Sequence, residues 1–345
     1  MKKHLWAAFY SAALFLFTAY LALDTFLIPS VYQTDAAEVN LSVFETAAAT
    51  DANSDDPEKM TGKQTPQIRE KRSGPGSQRK KPSSSGDSDV RTAADQDDTI
   101  VVERLDQAGT YADENIGIDI TRYRVNETMV YAADVQLSSV RYLRTALADN
   151  AYGKNVVDTT SNMAEEHAAI LAINGDYYGA QERGYVIRNG ILYRDTPGSG
   201  DVLCVYPDGS MRIIDPSEVS APELLEQNVW HAFSFGPGLV ENGTVLIDSA
   251  AEVGRSMASN PRTAIGITKD QHYLLVVSDG RTEASEGLSL YELALFMSEL
   301  GVETAYNLDG GGSSTMVFNG SVVNQPTTGG QIIRERKVSD IIYVG

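Results

Sequence analysis

The sequence predicts an α+β fold, a mostly mixed or antiparallel sheet with a few packed helices, set behind an N-terminal transmembrane helix and a disordered tether. Three observations predict it. Short apolar runs with strand character outnumber helical stripes and do not alternate with them, which argues against a parallel βαβ sheet. Asn-Gly and Asp-Gly dipeptides separate several of these runs, and such pairs make the tight turns of antiparallel hairpins. The composition also changes twice, near residue 24 and near residue 100.

The N-terminal element rests on Lys2, Lys3 and His4 followed by the 19-residue apolar run Leu5–Leu23, closed by Asp24. At ~1.5 Å per residue this nearly matches a ~30 Å hydrocarbon core. It is longer than a typical signal-peptide core, and no A-x-A site directly follows. Residues 1–24 therefore read as a signal anchor, with a cleaved signal peptide as the alternative. The basic flank belongs in the cytoplasm, which predicts a single-pass protein of the cell membrane with an extracytoplasmic C-terminal domain. Residues 25–100 are polar apart from an apolar start at Thr25–Val31, and carry the basic Arg69–Lys81 region and the run Pro82–Asp89. So few apolar groups cannot offset the entropy of ordering, and a disordered tether is expected.

Residues 101–345 form the expected folded domain. Ile116–Ile120 alternates as a half-buried strand does, with Thr128–Val135 as its partner. Leu143–Ala148 and Thr160–Ala169 are short helical candidates, and Ala169–Ile173 a strand. Tyr185–Ile187 and Ile191–Tyr193 flank Asn189–Gly190; Val202–Tyr206 and Met211–Ile214 flank Pro207–Asp208–Gly209. Ala232–Leu239 reads as a strand-to-loop passage, and Thr263–Ile267 with Tyr273–Val277 as a strand pair around Lys269–Asp270. Ser289–Leu300 carries a helical apolar stripe at 290, 293, 296, 297 and 300. A strand ending at Leu308, the strand Thr315–Phe318, a turn at Asn319–Gly320 and a last strand Ile341–Val344 complete the chain.

The net charge of −19 is uneven: residues 1–100 carry 11 Lys/Arg against 14 Asp/Glu, and the remainder 17 against 33. So acidic a domain repels a phosphate backbone, which excludes nucleic acid as a partner. The single cysteine, Cys204, excludes an intrachain disulfide and a cysteine-rich metal site. Its surroundings, Val202–Tyr206, read as a buried strand. His167 and His231 are isolated and read as structural. No His-x-x-x-His or Cys/His cluster argues for zinc, whereas calcium on Asp and backbone carbonyls needs no linear motif and stays open. No G-x-S-x-G elbow marks a serine hydrolase.

The chemistry concentrates at strand ends. Asn307–Leu308–Asp309 runs into Gly310–Gly311–Gly312 and then Ser313–Ser314–Thr315. Three adjacent glycines lose backbone entropy without packing gain, which a fold tolerates where the chain turns sharply or lies close to a bound group. Asp176 in Asn174–Gly175–Asp176 and Asp279 in Ser278–Asp279–Gly280–Arg281 repeat the pattern of a carboxylate after an apolar strand. Singly, each is an ordinary turn residue; together, with Arg262 and Arg281 nearby in sequence, they invite convergence. An arginine binds phosphate oxygens bidentately. Glu292, near the start of the 289–300 helix, is either an acid favoured by the helix dipole or a site residue.

In this order, Asn174–Gly–Asp–Tyr–Tyr178, Asn260–Pro–Arg–Thr–Ala264, Asp279–Gly–Arg281, Gly287–Leu–Ser–Leu–Tyr–Glu292 and Asn307–Leu–Asp–Gly–Gly–Gly–Ser–Ser–Thr–Met316 resemble the phosphodiester glycosidase family. The resemblance covers about residues 110–345, and many bacterial members look like anchored or secreted proteins of exopolysaccharide metabolism. It implies hydrolysis between a sugar's anomeric carbon and a phosphodiester oxygen, the sugar being of the N-acetylglucosamine type, with a glycosyl-phosphate or polysaccharide as substrate. It implies Asp309 and Asp176 at the anomeric centre, and Glu292 or Asp279 in acid/base work. It implies substrate contacts from Asn174, Arg262, Arg281, Asn307, Gly310, Gly311, Gly312, Ser313 and Ser314. Two other readings stay open, a metal-dependent phosphodiesterase cleaving P–O and a membrane-tethered polysaccharide-binding scaffold without turnover.

Overall fold

The structure is a computed structural model, and it describes residues 5–32, 37–38, 100–247, 259–268, 272–329 and 332–345. Its architecture is α+β. All strand pairings among the described residues are antiparallel.

An eight-stranded sheet runs in the order Thr244–Val245, Gly238–Glu241, Val302–Asn307, Thr263–Thr268, Tyr273–Ser278, Thr128–Leu137, Ile116–Val125, Val102–Ala112. A five-stranded sheet orders Ser321–Val322, Met316–Phe318, Leu171–Asn174, Asp340–Val344 and Leu143–Leu147. A six-stranded sheet is built on Met211–Ile214, Val202–Val205, His231–Phe233, Val186–Arg188 and Ile191–Arg194, with Ala37–Glu38 at its edge. The three sheets share one core. Ile118, Ile120, Ala133, Ile265, Leu275, Val277 and Tyr306 of the first meet Leu171, Ile173, Met316 and Ile342 of the second and Leu203, Val205 and Phe233 of the third.

Each sheet is backed by one helix, as period-2 strands with two apolar faces require. Leu290–Glu299 lays Leu293, Phe296 and Met297 on Ala264, Val276 and Ala305. Thr160–Glu166 covers Ala172, Val317 and Ile341 with Met163 and Ala164. Ala221–Glu226 covers Ile187, Val202 and the buried Cys204. Burial pushes the Cys204 thiol up to about 12, so this sulfur is core rather than nucleophile. The Asn-Gly turns form as expected: Asn189 and Gly190 have φ of 52° and 76°, Asn319 and Gly320 46° and 74°, the positive pair a two-residue hairpin needs.

Several expectations change. Leu143–Ala148 is not helical: Leu143–Leu147 is a strand paired along Asp340–Val344, since five mostly apolar residues carry too little periodicity to choose. Ala221–Glu226 is an unexpected helix, opened by a capping box between Ser220 and Glu223. Val102–Ala112 is an unexpected edge strand. The Lys269–Asp270 turn lies outside the described residues.

The N-terminal apolar run is a helix, Leu5–Phe26. Among the described residues, no helix is long and apolar enough to cross a membrane, so the transmembrane expectation gains no support from the structure. A few residues of the 25–100 segment are among those described. Ser30–Val31 pairs with Gly153–Lys154, Ala37–Glu38 with Ile191–Leu192, and Asn155 Nδ2 donates to Ile28 O at 3.1 Å. Residues 33–36 and 39–99 lie outside the described residues.

Candidate active site

Register explains why the strand ends converge. Asn307 pairs with Ala264, and Val277 with Thr263. In an antiparallel sheet this sets the exits of Val302–Asn307 and Tyr273–Ser278 beside the entrance of Thr263–Thr268. Asp309, Asp279 and Arg262 therefore share one end of the eight-stranded sheet. The five-stranded sheet adds its own strand end: Asn174 Nδ2 donates to Asp309 O at 2.7 Å, and Asp309 N–H to Gly175 O at 3.3 Å. Asn174 is fully buried and also accepts from Thr263 Oγ1 at 2.8 Å and Thr315 N–H at 3.3 Å, tying three segments together.

The glycine segment turns over this junction. Gly311 has φ +66° and donates its N–H to Pro261 O at 2.8 Å, while a Cβ there would sit 2.9 Å from Arg281 Nη2. The positive φ favours glycine here, and its bare Cα leaves the Arg281 guanidinium in place. Three of the loop amides are engaged within the protein. Besides Gly311, Ser313 N–H donates to Gly310 O and Ser314 N–H to Gly311 O, so the loop spends these donors on its own turn.

Cationic charge comes instead from side chains. Arg336, absent from the sequence-based set, donates through Nη2 to Asp309 at 3.0 and 2.8 Å and to Gly310 O at 3.0 Å, and through Nε to Ser313 Oγ at 2.9 Å. Ser313 Oγ donates to Asp309 Oδ2 at 2.6 Å. Arg336 N–H also donates to Gly312 O at 2.9 Å. The Asp309 side chain is 8% exposed and Arg336's 41%, so a buried acid lies beneath a solvent-facing base. Burial raises the Asp309 pKa and the guanidinium opposes it. Arg281 is exposed and anchored to Asn260 Oδ1 at 3.0 Å. Two accessible guanidiniums thus flank the loop in a strongly acidic domain. Arg262 is buried, its Nε donating to Leu288 O at 2.8 Å.

Asp279 is 6% exposed and accepts from Gln325 N–H at 2.7 Å and Asn324 Nδ2 at 3.2 Å. Asn324 Nδ2 also donates to Ser314 O at 2.9 Å, linking Asp279 to the loop. Burial raises the Asp279 pKa. Asn307 Nδ2 donates to Gly236 O at 2.8 Å. Its Oδ1, with Ser314 Oγ and Thr315 Oγ1, is buried and has no hydrogen-bond partner among the described residues. Buried polar atoms are nearly always paired, so these three have capacity for a ligand.

Asp176 belongs to a different environment. It is fully buried, with Arg188 Nη2 and Tyr178 N–H on Oδ1 at 2.7 and 3.2 Å and Ser234 N–H on Oδ2 at 2.8 Å. Arg188 Nε also donates to Asp340 at 2.8 Å. Gly175 admits Asp340: a Cβ there would lie 2.1 Å from its Oδ1. Burial, with Asp176 beside it, raises the Asp340 carboxyl to about 7 against the pull of Arg188. Glu292 accepts from Ser289 N–H at 2.8 Å and Asn126 Nδ2 at 2.6 Å, a helix-capping arrangement that occupies both oxygens. No hydrogen bond among the described residues joins it to the aspartates.

His231 is buried with its pKa lowered to about 3, and its neutral ring bridges Leu143 O and Asn189 N–H, a structural role. Among the described residues, no group of three or more His, Cys, Asp or Glu side chains is placed to hold a metal ion. Asp176 and Asp309 carry guanidinium partners, whereas Asp279 accepts only from Asn324 and Gln325. A cleft of about 760 Å³ runs along Gln181–Gly184, Pro197–Asp201 and Ser234–Phe235. It meets the aspartate cluster only at Ser234.

The sequence model for phosphodiester glycosidase matches residues 167–345, just over half of the chain and all of this site. The mouse N-acetylglucosamine-1-phosphodiester alpha-N-acetylglucosaminidase is 34% identical over 193 residues, covering 49% of this chain and 35% of its own. The SPbeta prophage-derived uncharacterized protein YomE of Bacillus subtilis is 29% identical over 200 residues, 56% of this chain and 30% of that one. The chain thus spans about a third of the length of these relatives. In fold it is similar to the zebrafish N-acetylglucosamine-1-phosphodiester alpha-N-acetylglucosaminidase catalytic domain auto-inhibited by pro-peptide, with TM-score 0.54 and 22% identity over 71% of this chain and 88% of that one. A hypothetical protein from Synechocystis gives TM-score 0.51 at 14% identity over 67% and 62% of the two chains. On the family match, with the glycine loop and both of its flanking strand ends inside it, the chain belongs to the phosphodiester glycosidase family.

Proposed function

We propose that the protein is an extracytoplasmic hydrolase that cleaves a sugar-1-phosphodiester of the N-acetylglucosamine 1-phosphate type, in cell-wall or exopolysaccharide metabolism. The observation that carries this reading is the Asp309 site, a buried carboxylate beneath Arg336 at the start of the loop whose Gly311 lies against Arg281. A phosphodiester is an anion that leaves as a more highly charged monoester. It needs cations in reach more than a strong acid. Arg336 and Arg281 supply them at the mouth, while Asp309 stands against the positive charge that develops at the anomeric carbon. Water adds to that carbon as the C–O bond to phosphate breaks; the electron pair leaves on the phosphate oxygen, and the water's proton goes to a carboxylate, for which Asp279 is the nearest in role. Asn307 and Ser314, each with an unpaired buried oxygen, are the proposed sugar contacts, and Asp176 acts from behind as a positioning group.

The N-terminal helix is proposed as the membrane attachment. Its support is the Leu5–Leu23 run behind Lys2 and Lys3, with Phe9 and Phe15 more than two-thirds exposed. Resistance to carbonate extraction, with the C-terminal domain open to added protease outside the cell, would support it; release by carbonate would refute it.

The decisive assay incubates the purified protein with an N-acetylglucosamine-1-phosphodiester in ¹⁸O-water, with and without chelator. Label in the sugar supports the reading. Label in the phosphate would mean a phosphodiesterase, loss of activity with chelator would implicate calcium, and saturable binding without release would mean a scaffold.

A further inference from the structure

Tyr177 has a backbone the sequence gives no local reason to tolerate. Its φ is +63°, in the left-handed region that a bulky side chain rarely enters. The turn itself has a clear purpose, since it brings Tyr178 N–H to Asp176 Oδ1 at 3.2 Å. A glycine would make that turn without steric conflict. The chain instead keeps a phenol ring there, 37% exposed, with the Arg336 guanidinium 5.7 Å from its centroid. Arg336 in turn grips Asp309. From solvent inward the order is aromatic ring, cation, carboxylate. Strain held at a solvent-facing aromatic beside a reactive carboxylate is a sign of function rather than packing.

On the glycosyl-phosphate reading above, we infer that Tyr177 is a specificity residue for the sugar. The ring carries negative charge on its faces, and the C–H groups of a pyranose present a flat, weakly positive surface. One side of the ring rests toward Arg336, which takes the phosphate, and the exposed remainder is the wall against which the sugar lies. The ring touches substrate but moves no proton, so it governs binding and orientation, not the chemical step.

The test compares wild type with Tyr177→Gly and Tyr177→Phe, reading KM, kcat and Tm for an N-acetylglucosamine-1-phosphodiester. Tyr177→Gly is expected to raise KM about 10-fold, to change kcat far less, and to leave Tm unchanged or higher by up to about 4 °C. Tyr177→Phe keeps the KM of wild type. If the wild type binds N-acetylglucosamine 1-phosphate without turnover, the same comparison is read from Kd. A ring that merely packs predicts the opposite, a lower Tm for Tyr177→Gly with KM unchanged, and that result overturns the inference. Wild-type turnover with an unchanged KM in Tyr177→Gly removes this inference alone. A wild type that neither turns over nor binds these compounds removes the glycosyl-phosphate reading, and this inference with it.

Discussion

Asp176 and Asp309 share a local recipe and differ in their solvent. Each follows an apolar strand, each adjoins glycine, and each is gripped by an arginine at 2.7–2.8 Å. Arg188 is 1% exposed and lies between two carboxylates, so its charge is consumed inside the protein. Arg336 is 41% exposed and meets one carboxylate. The first arrangement fixes three strands of two sheets around a buried ion cluster; the second leaves charge at a surface a ligand can reach. An Asp–Arg pair therefore identifies a functional site only together with its exposure.

Breaking the sealed cluster should have the largest effect. Arg188→Ala strands two buried carboxylates and is expected to lose about 3–5 kcal/mol in urea unfolding; a loss below about 1 kcal/mol would remove its structural role. At the open pair the balance reverses. Arg336→Ala is expected to lower kcat/KM by about 10²–10³, while stability falls by no more than about 1 kcal/mol because solvent already screens this arginine. Parallel kinetics and melting curves separate the two outcomes.

The pH dependence sharpens the same contrast. The Asp340 carboxyl is raised from its ordinary 3.8 to about 7 in the folded chain. Between those values the native state holds a proton that the unfolded chain has released, so this group's contribution to stability is full below about pH 4 and is lost as pH rises through 7. Asp340→Asn should flatten that slope in denaturation series from pH 4 to 8; an unchanged slope contradicts the assignment. The smallest effect concerns Glu292. Glu292→Ala should cost about 0.5–2 kcal/mol through its cap with kcat preserved, and a large loss of kcat in Glu292→Gln would return it to the chemistry.

Much of this was legible in the sequence because the relevant signals are local. Apolar strands entering Asp-Gly, the Asn-Gly turns and the capped 289–300 stripe all formed as elements near their expected bounds. The strand ends at Asp176, Asp279 and Asp309 meet, though only pairing register could bring them together. The arginine partners were not legible. Arg336 lies within the charged run Arg334–Lys337, which reads as solvated surface, and reaches Asp309 across 27 residues. Arg188 offered one clue, a cation ending an apolar strand before Asn189–Gly190, but its second partner is 152 residues away. The loop amides were legible only in part: three glycines suggest free donors, and the folded turn engages the N–H groups of Gly311, Ser313 and Ser314.

The central claim is that the carboxylate under the exposed arginine performs the chemistry and the one in the sealed cluster holds the frame. Turnover of an N-acetylglucosamine-1-phosphodiester and Tm, measured together for Asp309→Asn and Asp176→Asn, test it most directly. The account predicts that Asp309→Asn abolishes turnover with its Tm nearly unchanged, and that Asp176→Asn lowers Tm markedly. Retained turnover in Asp309→Asn, with a fold as stable as wild type, would contradict it.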